Sequence, residues 1–316
     1  MVLPLKAKAS HSKVAGIIIT SRGIALAIID HAPLTARLIH AQFYPCGLTE
    51  HDTILSQLSK EHGLSDIPCH FVLNPDEYQF LQVEKPQVDK QELQSALRWH
   101  VKDLIDYHID DVVLDYLTLP VDNMPLQVVA TRKSIIQSRV DLLLNSKCQI
   151  ASIDIAIQAA RNLIDKAKVI EANTSVGLLN LWDTNAKISV LLNNDVYINR
   201  LTDIGADALS HVSDDSQDSD SIIDSLAIEL QRTFDYYESY SRQVPVTQLV
   251  IMSNTRPIAH IDDMIKQRLG IDCIIITPSQ FEALDIEMTL QTNDLPDTCL
   301  MALVAPYEVT HNHATN

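Results

Sequence analysis

Branched aliphatic residues recur in three short runs at 14–20, 24–30 and 36–42, and this β-branched, period-two pattern predicts three strands. The first two are joined by a tight polar turn, "TSRG" (20–23). A helix is expected over 50–62, with Thr49 placed to cap it and Leu48 as the staple residue. "HFVLN" (70–74) reads as a buried strand closed by Asn74-Pro75, and another near 78–83 stops before Pro86. The spacing then turns helical. Leu93, Leu97, Val101, Leu104 and Ile105 share one face, behind Asp89 and Glu92 at capping-box separation and Val88 and Leu93 at staple separation. Strands at 112–119 and 126–132 and a helix over 133–146 complete a β-α-β-β-α stretch that reads as an insertion, 78–146.

After it the first pattern returns. "QIASIDIAIQAARNLI" gives a strand running into a helix, and 175–183, 186–194 and 196–201 give a second set of three strands. A helix is expected near Ile204, then an acidic low-complexity loop at 213–220 and a long amphipathic helix over 221–241. A strand (246–252), a helix (257–269), a strand (272–276) and an apolar helix (297–305) finish the pattern. Two copies of strand-strand-strand-helix-strand-helix predict a duplicated α/β architecture with a ligand cleft between its halves. The expected division is a flexible start (1–13), a first lobe (14–147) carrying the insertion, a second lobe (148–306) and a flexible tail (307–316).

Composition narrows the chemistry. The chain has 7 glycines in 316 residues, where usage near 7% would give roughly 22. Loops that close backbone amides on a phosphate need glycine, because a Cβ blocks the approach and the positive φ. The net charge of −17 repels phosphate backbones and anionic lipid, so neither nucleic acid nor direct membrane insertion is expected. Five scattered cysteines without a C-x-x-C read as buried reduced thiols of a cytoplasmic protein. No apolar run is long enough to span a bilayer, so work at a membrane would need another protein to hold the chain there. Among the 12 histidines, His100 and His108 flank the first amphipathic helix and an "HNH" lies near the C-terminus. No H-E-x-x-H spacing or G-x-S-x-G elbow accompanies them, so neither metal nor catalytic residues are assigned.

Four stretches carry a family resemblance: "ELQSALRW" with "DDVVLDY", "ASIDIAIQAARNL", "YINRLTDIGADAL" and "SLAIELQRTFDYYES". The third contains R-x-x-x-I-G-x-D-x-L through Arg200, Ile204, Gly205, Asp207 and Leu209. The fourth contains E-x-x-R-[ST]-x-D-Y-Y through Glu229, Arg232, Asp235 and Tyr236. Together, over about 14–306, the chain resembles the PilM family of type IV pilus assembly proteins, nearest to the MshI-like branch of mannose-sensitive haemagglutinin (MSHA) pilus systems. The resemblance implies an actin-like (RNase H-like) two-lobe fold and a cytoplasmic protein recruited to the inner membrane. Its implied partners are the cytoplasmic tail of a PilN-type bitopic membrane protein and other pilus assembly components.

The resemblance also implies three nucleotide loops, and this chain departs from each. In "GIIITSRGIA" the acidic position is Ile18, the second glycine is Thr20 and the lysine is Ala25, with Ser21 and Arg22 filling the turn. In "NLWDTNAK" the acid is Asn180, the glycine is Trp182 and the threonine is Lys187, with Asp183 one residue out of register. The paired glycines of the adenosine motif become Ser253-Asn254. Lost acids remove the groups that would hold Mg²⁺, and the larger side chains obstruct phosphate and adenine. The expectation is a degenerate cleft formed by these residues, with no ATP hydrolysis and at most weak binding of ATP with Mg²⁺. Trp99 has two readings. Either it packs in a core, or with Arg98 and Tyr107 it borders a groove for a partner's extended peptide. The leading expectation is a non-enzymatic scaffold. Its rivals are an active actin-like ATPase and a type II secretion component, the latter normally fused to a transmembrane segment that this chain lacks.

Overall fold

The computed structural model describes residues 12–31, 36–89, 91–121, 124–167, 170–210, 217–255, 257–277, 286–288 and 297–306. The chain opens with β1 (Lys13–Thr20), β2 (Gly23–His31), β3 (Ala36–Pro45), α1 (His51–His62) and β4 (Pro68–Leu73). The insertion follows as β5 (Gln79–Val83), α2 (Leu93–Val101), β6 (Val112–Leu117), β7 (Leu126–Arg132) and α3 (Lys133–Asn145). Next come β8 (Gln149–Ile155), α4 (Ala156–Ala167), β9 (Ser175–Leu181), β10 (Ala186–Leu192) and β11 (Asp195–Thr202). The last elements are α5 (Ala206–Leu209), α6 (Gln217–Ser241), β12 (Val246–Ser253), α7 (Ile261–Leu269), β13 (Asp272–Ile275), β14 (Ile286–Met288) and α8 (Leu300–Val304).

These residues form two compact units. Among the described residues, the first unit takes those up to Leu73, Leu143–Glu171 and those from Thr277 on; the second takes Asn74–Leu142 and Ala172–Ile276. The first unit's sheet runs β14-β3-β2-β1-β4-β8, and the larger sheet of the second runs β11-β10-β9-β12-β13. Leaving out β14, both read third, second, first, fourth, fifth, with the first three strands antiparallel and the rest parallel. The duplication seen in the hydrophobic pattern is therefore a duplication of topology.

The division differs from the expected one at 147/148. β8 pairs in parallel with β4, from Pro68↔Gln149 to Leu73↔Ile155, and so completes the first sheet. The partner of a parallel strand is chosen by its crossover, not by its own residues, which is why local pattern did not place it. The insertion, assigned by sequence to the first lobe, groups with the second unit. α8, expected in the second lobe, belongs to the first unit: it packs on β1 and α4. Each of its five residues is buried, as a helix that is apolar all round requires. Its backbone sits directly on Gly16, where a Cβ would lie 1.8 Å from the Ala302 carbonyl oxygen. Only glycine leaves room for that approach.

Several helix starts also differ. Leu48–Glu50 is a 3-10 turn whose Gly47 N–H donates to Glu50 Oε2 at 2.8 Å; α1 follows it, Thr49 does not cap, and Leu48 is 71% exposed. α2 begins at Leu93 with Glu92 as its cap residue and without a side-chain cap bond. It ends at Val101, so Leu104 and Ile105 lie in the following turn. In the acidic run, 217–220 belong to α6 while 213–216 fall outside the described residues, as do the expected flexible start up to residue 11 and the tail from 307.

In the second unit, β9 and β10 are buried at all seven positions each, the continuous pattern of strands covered on both faces. Leu179, Leu181, Ile188, Val190 and Ile251 meet α6 and α7 through Leu226, Leu230, Phe234, Tyr237 and Ile265. The opposite face is unusual. There Asn180 stands beside Lys187 and Ser189 beside Asn199, a row of polar groups on a buried sheet. The insertion's own sheet, β5-β7-β6, is antiparallel and closes a small core with Leu93, Leu97 and Val101 of α2. Its entry turn is held by Glu77, which accepts Arg139 Nε at 2.7 Å and the Asn74 N–H at 2.7 Å.

Candidate functional site

The residues expected to form a nucleotide cleft fall in both units, and each group has its own geometry. In the first unit, Thr20 and Gly23 face each other across a two-residue turn made by Ser21 and Arg22. Thr20 Oγ1 accepts the Arg22 N–H at 3.3 Å and donates to the Gly23 carbonyl at 3.3 Å. A side chain thus occupies backbone groups that a glycine would leave open. Gly23 has φ +155°, and a Cβ there would meet the Tyr44 carbonyl oxygen at 2.2 Å. The turn's one glycine serves the contact between β2 and β3.

In the second unit, Asn180, Trp182, Asp183, Ser253 and Asn254 do gather, at the ends of β9 and β12. The Asn254 N–H donates to the Leu181 carbonyl at 2.9 Å, and its side-chain amide reaches Leu181 O at 3.2 Å and Asn180 Oδ1. The Trp182 N–H closes the turn on the Asn185 carbonyl at 2.9 Å, and its indole is 5% exposed with Nε1 buried and without a partner among the described residues. The carbonyls of Trp182 and Asp183 accept the N–H groups of Ala206 and Asp207 at 2.8 and 2.9 Å. That contact explains Gly205: its Cβ would stand 2.5 Å from Asp183 O and 2.4 Å from Asn185 N. Ser253 Oγ pairs with Thr255 Oγ1 at 3.3 Å.

Lys187 is the group whose environment the sequence hid. It is 5% exposed, its Nζ lies 5.2 Å from the centre of the Tyr78 ring, and burial brings its pKa down to about 8 despite the opposing pull of Asp76. The signal was its place in "AKISVLL", where Lys187 and Ser189 take alternate positions of a run otherwise fit for a core.

In the insertion, Arg98, Trp99 and Tyr107 do not share one environment. Leu93, Leu97 and Val101 turn inward, which leaves Trp99 on the solvent side of α2 at 69% exposure, with Lys102 Nζ 6.0 Å from its ring. It is not a core residue. Arg98 Nη1 donates to the Ile109 carbonyl at 3.4 Å, tying α2 to the turn before β6. Tyr107 packs against the small core with the Arg132 guanidinium 4.5 Å from its ring; burial raises its phenol pKa against the pull of Arg132. His100 and His108 have local roles, with His100 Nδ1 3.0 Å from the Ala96 carbonyl and His108 Nδ1 accepting the Asp110 N–H at 3.3 Å.

The profile of the family described as type IV pilus assembly protein PilM matches residues 82–215, from β5 through α5. No curated protein sequence matches the chain. Among solved structures, the PilM-PilN type IV pilus biogenesis complex is similar at TM-score 0.74 and 14% identity, over 92% of this chain and 97% of that one. The cytoplasmic domain of EpsL, an inner membrane component of the type II secretion system of Vibrio cholerae, is similar at TM-score 0.53 and 11% identity, over 81% and 94%. A Bacteroides thetaiotaomicron protein of unknown function with an actin-like ATPase fold follows at 0.52 and 8%, over 87% and 96%. At such identities the likeness is one of fold: the chain has the duplicated actin-like α/β fold, and its middle stretch resembles the pilus assembly protein PilM.

Proposed function

We propose that this protein is a non-enzymatic scaffold of a type IV pilus assembly machine of the MSHA kind. It binds the cytoplasmic tail of a PilN-type inner-membrane protein and is recruited to the membrane by that partner. The observation that carries the reading is the PilM match over 82–215, a stretch that also displays Trp99 to solvent. A large aromatic exposed on a helix whose other face is anchored suits a binding hot spot. The net charge of −17 suits a tail rich in Lys and Arg, as cytoplasmic flanks of membrane helices are. No helix among the described residues is long and apolar enough to cross a membrane, so the reading assigns attachment to the partner.

A synthetic PilN-type tail is expected to copurify with the full chain, and Trp99→Ala to weaken that binding about tenfold without changing the melting temperature. Absence of binding at tens of micromolar, or equal binding by Trp99→Ala, would remove the support for a scaffold that works through this face.

The competing reading, an ATPase, is favoured by the fold it shares with the Bacteroides protein. Against it stand the filled turns: Thr20 Oγ1 on the Arg22 N–H, and Asn254 bonded to Asn180 and Leu181. Saturating Mg-ATP should leave the melting temperature unchanged within error. A ligand at 100 times its Kd stabilises by about 2.7 kcal/mol, so a rise of several degrees would favour the ATPase.

A further inference from the structure

Two thiols of the first unit face each other away from every residue discussed so far. Cys69 is the second residue of β4, and Cys148 directly precedes β8. The strands run in parallel with Pro68 opposite Gln149, so the cysteines stand diagonally across that pairing. Their side chains close the diagonal and hydrogen-bond to each other. The end of α1 and the residues after it border the pair. Ser59 is a second hydrogen-bond partner of the Cys148 sulfur, and the Leu64 carbonyl accepts the Gln149 N–H at 2.9 Å. The Cys69 thiol donates to the carbonyls of Leu64 at 3.5 Å and Ile67 at 3.4 Å. Cys69 is 1% exposed and Cys148 5%, and Cys148 follows the exposed Lys147 of the turn after α3.

The pair is unequal. Two carbonyls hold Cys69 as a neutral S–H donor, whereas Cys148 receives hydrogen bonds that favour its thiolate. The bond from Cys69 brings the Cys148 pKa below the ordinary thiol value; burial opposes it, and Ser59 adds to it. That same bond, and then burial, push Cys69 up. The other three thiols all move away from reactivity, with burial as the first cause: Cys46 is raised, Cys273 to about 11 and Cys299 to about 12. A thiolate touching a protonated thiol is the arrangement in which one sulfur meets an oxidant and the other completes a disulfide. With so little of Cys148 exposed, the oxidant must be small, and hydrogen peroxide is little larger than water.

We propose that Cys69 and Cys148 are a peroxide-responsive modification site, oxidised to a disulfide that closes the chain around the whole insertion. The Cys148 thiolate attacks one peroxide oxygen: the S–O bond forms, the O–O bond breaks, and the departing hydroxide takes up the proton that Cys148 had released. The Cys69 sulfur then attacks Cys148, the S–O bond breaks, and the hydroxyl leaves as water with the Cys69 proton. Two thiols are oxidised to one disulfide and one peroxide is reduced to two waters. Residues 70–147, between the cysteines, hold β5, α2, β6, β7 and α3. The chain enters the second unit after Leu73 and returns after Leu142, so the bond lies just outside both crossings and ties the two ends of the insertion together. Closing so long a loop removes much freedom from the unfolded chain and stabilises the fold. The site uses none of Arg98, Trp99 or Tyr107 and does not depend on the pilus reading.

The test treats the reduced full chain with a small excess of hydrogen peroxide, alkylates the remaining thiols under denaturing conditions and maps them by mass spectrometry. Free thiols should fall from five to three. A non-reduced digest should join the Cys69 peptide to the Cys148 peptide while Cys46 and Cys273 stay reduced, although both are the more exposed. The oxidised chain should melt about 5 °C or more above the reduced one, and dithiothreitol should reverse the shift. Cys148→Ser should leave Cys69 reduced under peroxide, whereas Cys69→Ser should leave Cys148 carrying oxygen instead of a disulfide. The mapping on the unaltered chain decides the matter even if a variant fails to fold. Five thiols surviving peroxide, oxidation of Cys46 or Cys273 ahead of the pair, or a linked form that melts no higher than the reduced one would each overturn the proposal.

Discussion

Gly16→Ala is expected to be the most damaging single methyl group that can be added to the first unit. The new Cβ would stand 1.8 Å from the Ala302 carbonyl oxygen and 2.8 Å from its carbon. Both are backbone atoms, so no rotamer change relieves the overlap. α8 must lift off β1, and all five of its residues are buried. Overpacking usually costs about 1–3 kcal/mol, but that range assumes side chains able to yield. Here we expect about 4 kcal/mol or more, at the upper end for point changes. In a unit of this size that lowers the melting temperature by roughly 10 °C, and a urea titration should show either loss of the cooperative transition or a midpoint displaced in proportion. A melt within 2 °C of the parent would mean that α8 does not rest on β1 at Gly16.

The opposite sign is expected for Lys187→Met. The folded-state pKa of Lys187 is about 8, against an ordinary value of 10.5, and the first cause is burial. A base whose pKa falls on folding weakens the fold wherever it is charged. The penalty is complete below about pH 8, shrinks between pH 8 and 10.5, and vanishes above. At about 1.36 kcal/mol per pKa unit it amounts to about 3 kcal/mol, from which the change of side-chain shape takes about 1 kcal/mol. Methionine keeps the length and removes the charge, so the variant should be more stable by about 2 kcal/mol at pH 7, with the gain fading by pH 10. A lower melting temperature at pH 7, or a gain that persists unchanged at pH 10, would contradict this account of the site.

What the sequence made legible follows from how locally each feature is encoded. The β1–β2 hairpin and the β9–β10–β11 series are runs whose own residues dictate a buried strand. The stripe Leu93, Leu97, Val101 dictates which side of α2 is buried, but the sequence left Trp99 open between a core and a groove, and the structure turns it to solvent. Long-range choices were hidden. Nothing in "QIASIDI" says that β8 joins β4, and nothing in "GIII" says that a helix nearly three hundred residues later lies on Gly16. The sequence set Tyr107 with Arg98 and Trp99 at a groove, whereas the helix stops at Val101 and Tyr107 packs on the small core.

The seat of α8 on β1 also sets when the protein can fold. The helix that covers β1 lies 280 residues after it along the chain, from Thr20 to Leu300, so the first strands of the sheet leave the ribosome well before it. At about 5–20 residues per second the interval between them is roughly a quarter of a minute to a minute. Throughout it the β1–β2–β3 ribbon has an uncovered oily face, so a nascent chain stalled before Leu300 should be a strong client for holding chaperones.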